Sequence, residues 1–247
     1  MDRMIHTSLS AMRANMARQA VTANNIANAS TTGFRAEISN ARPLWIKGPG
    51  LPDRAVASEE VQSADMRAAA TVSTGRPLDI AMNGDAMLTI QAENGDEAYT
   101  RRGDLMVSAS GLLTTGDGHP VLGESGPVTV PPADQMRIDG NGTLWIVPAG
   151  GDANAPQKID RLKLASPTGS VITKHIDGLF RVRDGGILPT DPRATVTAGA
   201  LEGSNVNPTT ALVDMIEAAR SWDTQIKLLT TARDLDTETA SLMRLPS

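Results

Sequence analysis

From residue 4 to about residue 29, apolar or small side chains recur at Ile5, Leu9, Met12, Met16, Ala23 and Ile26, with Gln19 in the remaining slot. The steps alternate between four and three, the spacing of one stripe along a helix. Ala, Met and Arg fill much of the segment, and all three favour helix. A helix of about 25 residues is roughly 37 Å long, and a single narrow stripe on it looks for another helix. The same rhythm returns at the far end of the chain. Asn207 is placed to cap a helix, and Pro208 suits its first turn. Leu212, Met215, Ala219, Trp222, Ile226 and Leu229 then step by three and four. Beyond Leu229 the stripe slips by one position, to Ala232, Leu235, Thr239 and Leu242.

Between the helices the period changes. Asn83-Gly84, Asn94-Gly95, Asp117-Gly118, Asp139-Gly140, Asn141-Gly142, Asp177-Gly178 and Asp184-Gly185 mark tight turns, because such pairs supply positive φ. Short runs such as "MLTIQA", "LMVSA", "TLWIVP" and "GLFRVR" lie between them and predict antiparallel strands. Residues 35–75, with "RPLWIKGPGLPD" inside, hold too much Pro and Gly for a long helix and read as an extended connector. The pattern predicts an α+β chain: paired long N- and C-terminal helices, coiled-coil-like, with an inserted antiparallel β domain. The divisions are residues 1–34 for the first helix and its Asn-rich turn, 35–75 for the connector, 76–200 for the β domain and 201–247 for the returning helix.

Composition narrows the function. The 247 residues carry a net charge of −5, and no run of five basic residues marks a nucleic-acid footprint. No stretch approaches the ~18 apolar residues of a membrane span. The opening "MDRMIHTSLSAM" lacks the apolar core of a cleaved signal peptide. Cysteine is absent, which excludes disulfides, thiolate metal sites and a cysteine nucleophile. Only Phe34, Trp45, Tyr99, Trp145, Phe180 and Trp222 are aromatic, so the core must be built from aliphatic side chains and methionine.

Candidate chemistry is thin. The three histidines stand at positions 6, 119 and 175, and no serine in a nucleophile elbow accompanies them. "DGNGTLW", from Asp139 to Trp145, faintly resembles a calcium loop, but Leu144 and Gly150 stand where the loop needs Gly and Glu. Hairpin chemistry explains the same letters. No phosphate-binding loop is present. No catalytic residue, cofactor or metal site is expected.

One stretch asks for a different explanation. In "VTANNIANASTTGF" the first helix runs into Asn24, Asn25 and Asn28, then stops at Gly33 and Phe34. "RQAVTANNIANASTTGF" (18–34) resembles the corresponding segment of bacterial flagellar axial proteins: rod, hook and hook-associated subunits. "RPLDIAMNGDAML" (76–88), "EAYTRRGDLMVSASGLLTTGDGHPVLGESGPVTVP" (97–131) and "LEGSNVNPTTALVDMIEAAR" (201–220) are similar to further segments of that family, in the same order. Within it the chain looks most like a proximal rod subunit, with the distal rod subunit next and hook protein less similar. Met87-Leu88 stand where bulky aromatics are expected, and Arg102 where Asn is expected.

The resemblance implies a structural subunit that polymerises helically through its terminal helices, transmits torque and lines an export channel. It implies partners that are copies of the chain and other rod proteins, export by the flagellar type III apparatus without a cleaved signal, and a place in the rod within the periplasm. The assembly interface would then comprise Ile5, Leu9, Met12, Met16, Asn24, Asn25, Ile26, Asn28 and Phe34 with Leu212, Met215, Ala219, Trp222, Ile226 and Leu229. The asparagines can donate and accept between subunits. Gly33, Gly203 and Asn205 would serve as turn or hinge residues. The non-flagellar alternative is a secreted β-rich binding module with coiled-coil ends, which calls for a signal peptide and an aromatic binding patch.

Overall fold

The computed structural model describes the backbone of residues 2–45 and 55–242 and the side chains of residues 8–38 and 63–241. The chain divides into two compact units. Unit 1 gathers Met1–Ala27, Glu37–Gln62 and Val206–Ser247; unit 2 gathers Asn28–Ala36 and Ser63–Asn205.

Unit 1 contains helix α1 (Asp2–Ala27) and two strands, β1 (Glu37–Trp45) and most of β2 (Ala55–Ala64), which pair with each other. It closes with the second helix, Pro208–Leu242. Asn207 caps this helix: its side-chain oxygen accepts from the backbone N–H of Thr209 at 3.0 Å and of Thr210 at 3.2 Å. Residues 35–75, expected as a connector, thus carry β1, β2 and the first strand below.

The rest of the β structure belongs to unit 2. In chain order it comprises β3 (Thr71–Ser73), β4 (Ile80–Met82), β5 (Met87–Gln91), β6 (Glu97–Thr100), β7 (Leu105–Val107) and β8 (Leu113–Thr115). There follow β9 (Leu122–Gly123), β10 (Gly126–Pro127), β11 (Ala133–Ile138), β12 (Thr143–Pro148) and β13 (Gln157–Arg161). The last are β14 (Leu164–Ala165), β15 (Ile172–Lys174), β16 (Phe180–Val182), β17 (Val196–Ala198) and β18 (Ala200–Glu202). The largest sheet has five strands in the order β14-β5-β6-β16-β15, beside a three-stranded sheet β11-β12-β13 and several two-stranded pairs. The late strands β17 and β18 pair antiparallel with the early strands β4 and β3.

Alternation along β5 builds two cores. Leu88 and Ile90 join Ile80, Leu113, Leu144 and Leu164 in the larger one. Met87, one residue out of phase, joins Tyr99, Phe180 and Leu188 in the smaller. Tyr99 is fully buried, and its hydroxyl accepts from the Leu188 backbone N–H at 2.7 Å. Arg102 is ion-paired with Asp104 and Asp117, each at 2.6 Å.

The expected helix arrangement needs correction. The helices, 26 and 35 residues long, do pack together, but not as a coiled coil of large apolar knobs. Leu9 is 43% exposed, Met16 56%, Leu212 51% and Ile226 40%. The buried helix residues are small: Ser10, Val21 and Thr22 on α1, and Ala211, Ala218 and Ala232 on its partner. Small side chains let two backbones approach closely; Leu9, Met16, Leu212 and Ile226 are left outside, while Met215, Trp222 and Leu229 stand half-buried. The seam of the second helix runs through Ala211, Met215, Ala218, Trp222, Gln225, Leu229 and Ala232, all buried or half-buried. It keeps a four-three rhythm to Ala232, so the slip expected beyond Leu229 does not occur. Nor is the β structure one insert, since β1 and most of β2 belong with the helices. What stands is two terminal helices around a large antiparallel β-rich middle.

Candidate functional site: an assembly interface

Two stripes run along the second helix, here named α2 (Pro208–Leu242). One is the small-residue seam. The other is displaced by one residue and passes through Leu212, Ile216, Ala219, Asp223, Ile226 and Thr230, all exposed. α1 has the same duality. Ser10, Ala14, Ala17 and Val21 are buried or half-buried, while Leu9, Arg13, Met16, Ala20, Ala23 and Ala27 are exposed. Of the expected interface residues, Leu9, Met16, Asn24, Leu212, Ala219 and Ile226 are therefore open to solvent. Met12, Asn25, Ile26, Met215, Trp222 and Leu229 are half-buried. Ile5 lies in α1, but its side chain falls outside the described residues.

Asn15 donates to the Ser221 hydroxyl at 3.0 Å, a polar tie between the helices. Beside it is a groove of about 500 Å³, lined among others by Arg18, Val21 and Thr22 from α1 and Asp214, Glu217 and Ala218 from α2. Asn25 uses both ends of its amide on one residue of β1. Its nitrogen donates to the Glu37 carbonyl at 2.9 Å and its oxygen accepts from the Glu37 N–H at 2.8 Å. The side chain thereby clamps the Glu37 backbone and ties α1 to β1.

In unit 2 the segments by which the chain arrives and leaves are tied together. Asn28 accepts from the Thr31 hydroxyl at 3.1 Å. Gly33 has φ +67°, and its N–H donates to the Glu202 carbonyl at 2.8 Å. A Cβ at Gly33 would lie 2.4 Å from the Arg101 carbonyl carbon, so the position demands glycine twice over. The Lys174 ammonium sits 3.6 Å above the Phe34 ring. Asn205 accepts from the Ala36 N–H at 2.7 Å and donates to the carbonyls of Asp65 at 2.7 Å and Arg67 at 3.0 Å. Gly203 donates to the Ala70 carbonyl at 2.9 Å. Three chain segments, 33–36, 65–70 and 202–205, are thus stitched into one.

Beneath the stitch lies a buried ionic triad that sequence reasoning missed. Arg35 donates to one Glu202 oxygen at 2.6 Å, and Arg101 to the other at 2.7 Å. Arg101 also donates to the carbonyls of Met82, Gly84 and Ala86. The first oxygen of Glu202 accepts in addition from the Ala69 N–H at 2.8 Å. Burial pulls the Arg101 guanidinium below its ordinary value, and Glu202 pushes it back. Among the described residues, two buried nitrogens of Arg35 have no hydrogen-bond partner. The only sequence signal was a charged residue directly after "GF" and another inside "LEG", and neither says it is buried until its partner is known.

Elsewhere polar side chains are occupied in turns. The Asp139 carboxylate accepts from the N–H groups of Asn141 and Thr143, each at 3.0 Å, and from the Trp145 indole at 3.1 Å. Among the described residues, no group of three His, Asp or Glu is placed to hold a metal ion, and no helix is long and apolar enough to cross a membrane.

This combination of terminal helices and an antiparallel β middle is matched by three family descriptions along the chain. "Flagella basal body rod protein" matches residues 5–35, "Flagellar hook protein FlgE/F/G D1 domain" residues 81–146, and "Flagellar basal body rod FlgEFG protein C-terminal" residues 197–242. Curated relatives match over almost the full length, and the chain belongs to the FlgF-like family of flagellar basal-body rod proteins. The flagellar basal-body rod protein FlgF of Escherichia coli K12 is 40% identical over 240 residues, 95% of each chain. FlgF of Salmonella typhimurium LT2 is 40% identical over 236 residues, 93% of this chain and 94% of its own. The rod protein FlgG of Bacillus subtilis 168 is 28% identical over 267 residues, 99% of this chain and 100% of its own.

Proposed function

We propose that this chain is an FlgF-like structural subunit of the flagellar rod, located in the basal body, which joins other rod subunits through its terminal helices. One observation carries the reading. The helices pair through small residues and leave the large apolar ones, Leu9, Met16, Leu212, Ile216 and Ile226, on an outer surface. Large apolar side chains left exposed in a repeated stripe on each helix mark an interaction face. In the rod the helices polymerise helically, line the export channel and transmit torque. The subunit reaches the rod within the periplasm through the flagellar export apparatus. Its role is architectural rather than catalytic. The proximal rod is favoured over the distal by the higher identity to the E. coli and Salmonella FlgF proteins.

The test is complementation of a rod-deficient strain that lacks its own FlgF. The full chain is expected to restore basal bodies and swimming. A chain with Leu9, Met16, Leu212 and Ile216 all changed to Ser is expected to be exported and fail to restore them. Normal swimming by that variant would sink the reading.

A further inference from the structure

The rod-subunit reading does not say which face meets which. The two exposed stripes do. Both keep the four-three rhythm of a helix seam, and both are apolar or small except near one charged position. On α1 the charge is Arg13, set between Leu9 and Met16; on α2 it is Asp223, set between Ala219 and Ile226. Among the described residues neither Arg13 nor Asp223 belongs to an ion pair. The whole helices repeat the contrast. α1 carries Arg3, Arg13 and Arg18 against Asp2 alone, whereas α2 carries six carboxylates against Arg220, Lys227 and Arg233. Arg13 and Asp223 therefore stand outside any ion pair among the described residues although the helices already pack together.

We propose that α1 of one copy docks along α2 of a second copy of this chain through these stripes, with Arg13 facing Asp223. Leu9 and Met16 then bury against Ala219 and Ile226 and their neighbours, removing from water the apolar surface that the subunit cannot cover itself. One opposite-charge pair inside an otherwise apolar seam fixes the register, because sliding by a turn buries both charges without partners. The charges also reject the like pairings: α1 against α1 sets Arg13 near Arg13, and α2 against α2 sets Asp223 near Asp223. The contact is head-to-tail in kind, since different faces meet, and such a contact propagates instead of closing into a dimer.

The proposal rests on the rod-subunit reading, and its test separates the two. The chain contains no cysteine, so introduced cysteines report alone. Full-length Arg13→Cys and Asp223→Cys proteins, carrying different tags, are mixed under mild oxidation. A mixed disulfide in clear excess over either homodimer is expected. In parallel, Arg13→Asp and Asp223→Arg each weaken self-association about tenfold or more by like-charge contact, and mixing the two variants restores it. Self-association with no mixed disulfide and no rescue overturns this seam and leaves the rod reading intact. Association only with a different rod subunit overturns the second copy as occupant. No association with either removes both.

Discussion

The Glu202 carboxylate lies 2.6 Å from the Arg35 guanidinium, both side chains are at most 2% exposed, and 167 residues separate them in sequence. Arg101 takes the other oxygen, so two cations share one anion in the interior of unit 2. Replacing Glu202 with Gln keeps the shape and removes the charge. Two buried guanidinium groups are then left without a counter-ion, at a cost of about 3–5 kcal/mol. Urea unfolding of E202Q is expected to show that loss. A change below about 1 kcal/mol would mean that solvent reaches the triad.

Gly33 and Gly178 separate two reasons for needing glycine. Both have positive φ, +67° and +79°. A methyl added at Gly178 would meet nothing within 4 Å, whereas at Gly33 it would strike the Arg101 backbone. G178A is expected to lose about 1–2 kcal/mol, the ordinary penalty of the left-handed region. G33A is expected to lose clearly more, because a backbone collision cannot be relieved by turning a side chain. Equal losses would show that the close approach to Arg101 is not maintained in solution.

The helix seam makes opposite demands at neighbouring positions. A218L forces a large side chain into the close approach of α1 and α2 and is expected to cost about 1–3 kcal/mol. L212A alters an exposed position and is expected to leave the subunit within about 0.5 kcal/mol of the parent while weakening assembly. Thermal melts of the subunit against sedimentation of the assembled protein separate the two. The reverse ranking would restore the seam expected from hydrophobicity.

Acid weakens the fold through identifiable carboxylates. Asp65 is held below its ordinary value by the Arg67 side-chain hydrogen bond, although Arg67 is exposed and the pair contributes little. Asp139 and Asp177 are raised by burial, but hydrogen bonds outweigh it: from Thr143, Trp145 and Asn141 for the first, from Arg181 and Leu179 for the second. All three are lower in the fold than the ~3.9 of an unfolded aspartate. Their contribution is complete above about pH 4 and fades as pH falls through the folded values. Urea midpoints are expected to drop below about pH 4, and less so in D139N. A midpoint that rises on acidification would contradict this.

The helices were legible because their four-three rhythm survives any choice of face. Which face packs was not, since hydrophobicity gives Leu212 and Ile226 more weight than Ala211 and Ala218, and close backbone approach reverses that order. The strands were legible from turns: Gly142 and Gly178 have the positive φ that Asn-Gly and Asp-Gly announce, whereas Gly140 does not, because the Asp139 side chain holds that turn through the Asn141 and Thr143 N–H groups. The Asn patch was seen as a feature, but β1 was not, so the bond from Asn25 to Glu37 within the chain could not be anticipated. Arg35, Arg101 and Glu202 were invisible for a general reason. A charged residue reads as solvated until its partner is known, and these partners lie 101 and 167 residues away.

The chain passes between its two units at four places: after Ala27, Ala36, Gln62 and Asn205. A protease cutting the exposed turn at Ile176 would release nothing. The N-terminal piece keeps α1 and most of unit 2; the C-terminal piece keeps β16, β17, β18 and α2. Each piece owns part of both units, so separating them requires melting both. The covalent thread is dispensable at that point, and the two pieces, expressed apart, have the complementary parts to reassemble as one noncovalent subunit.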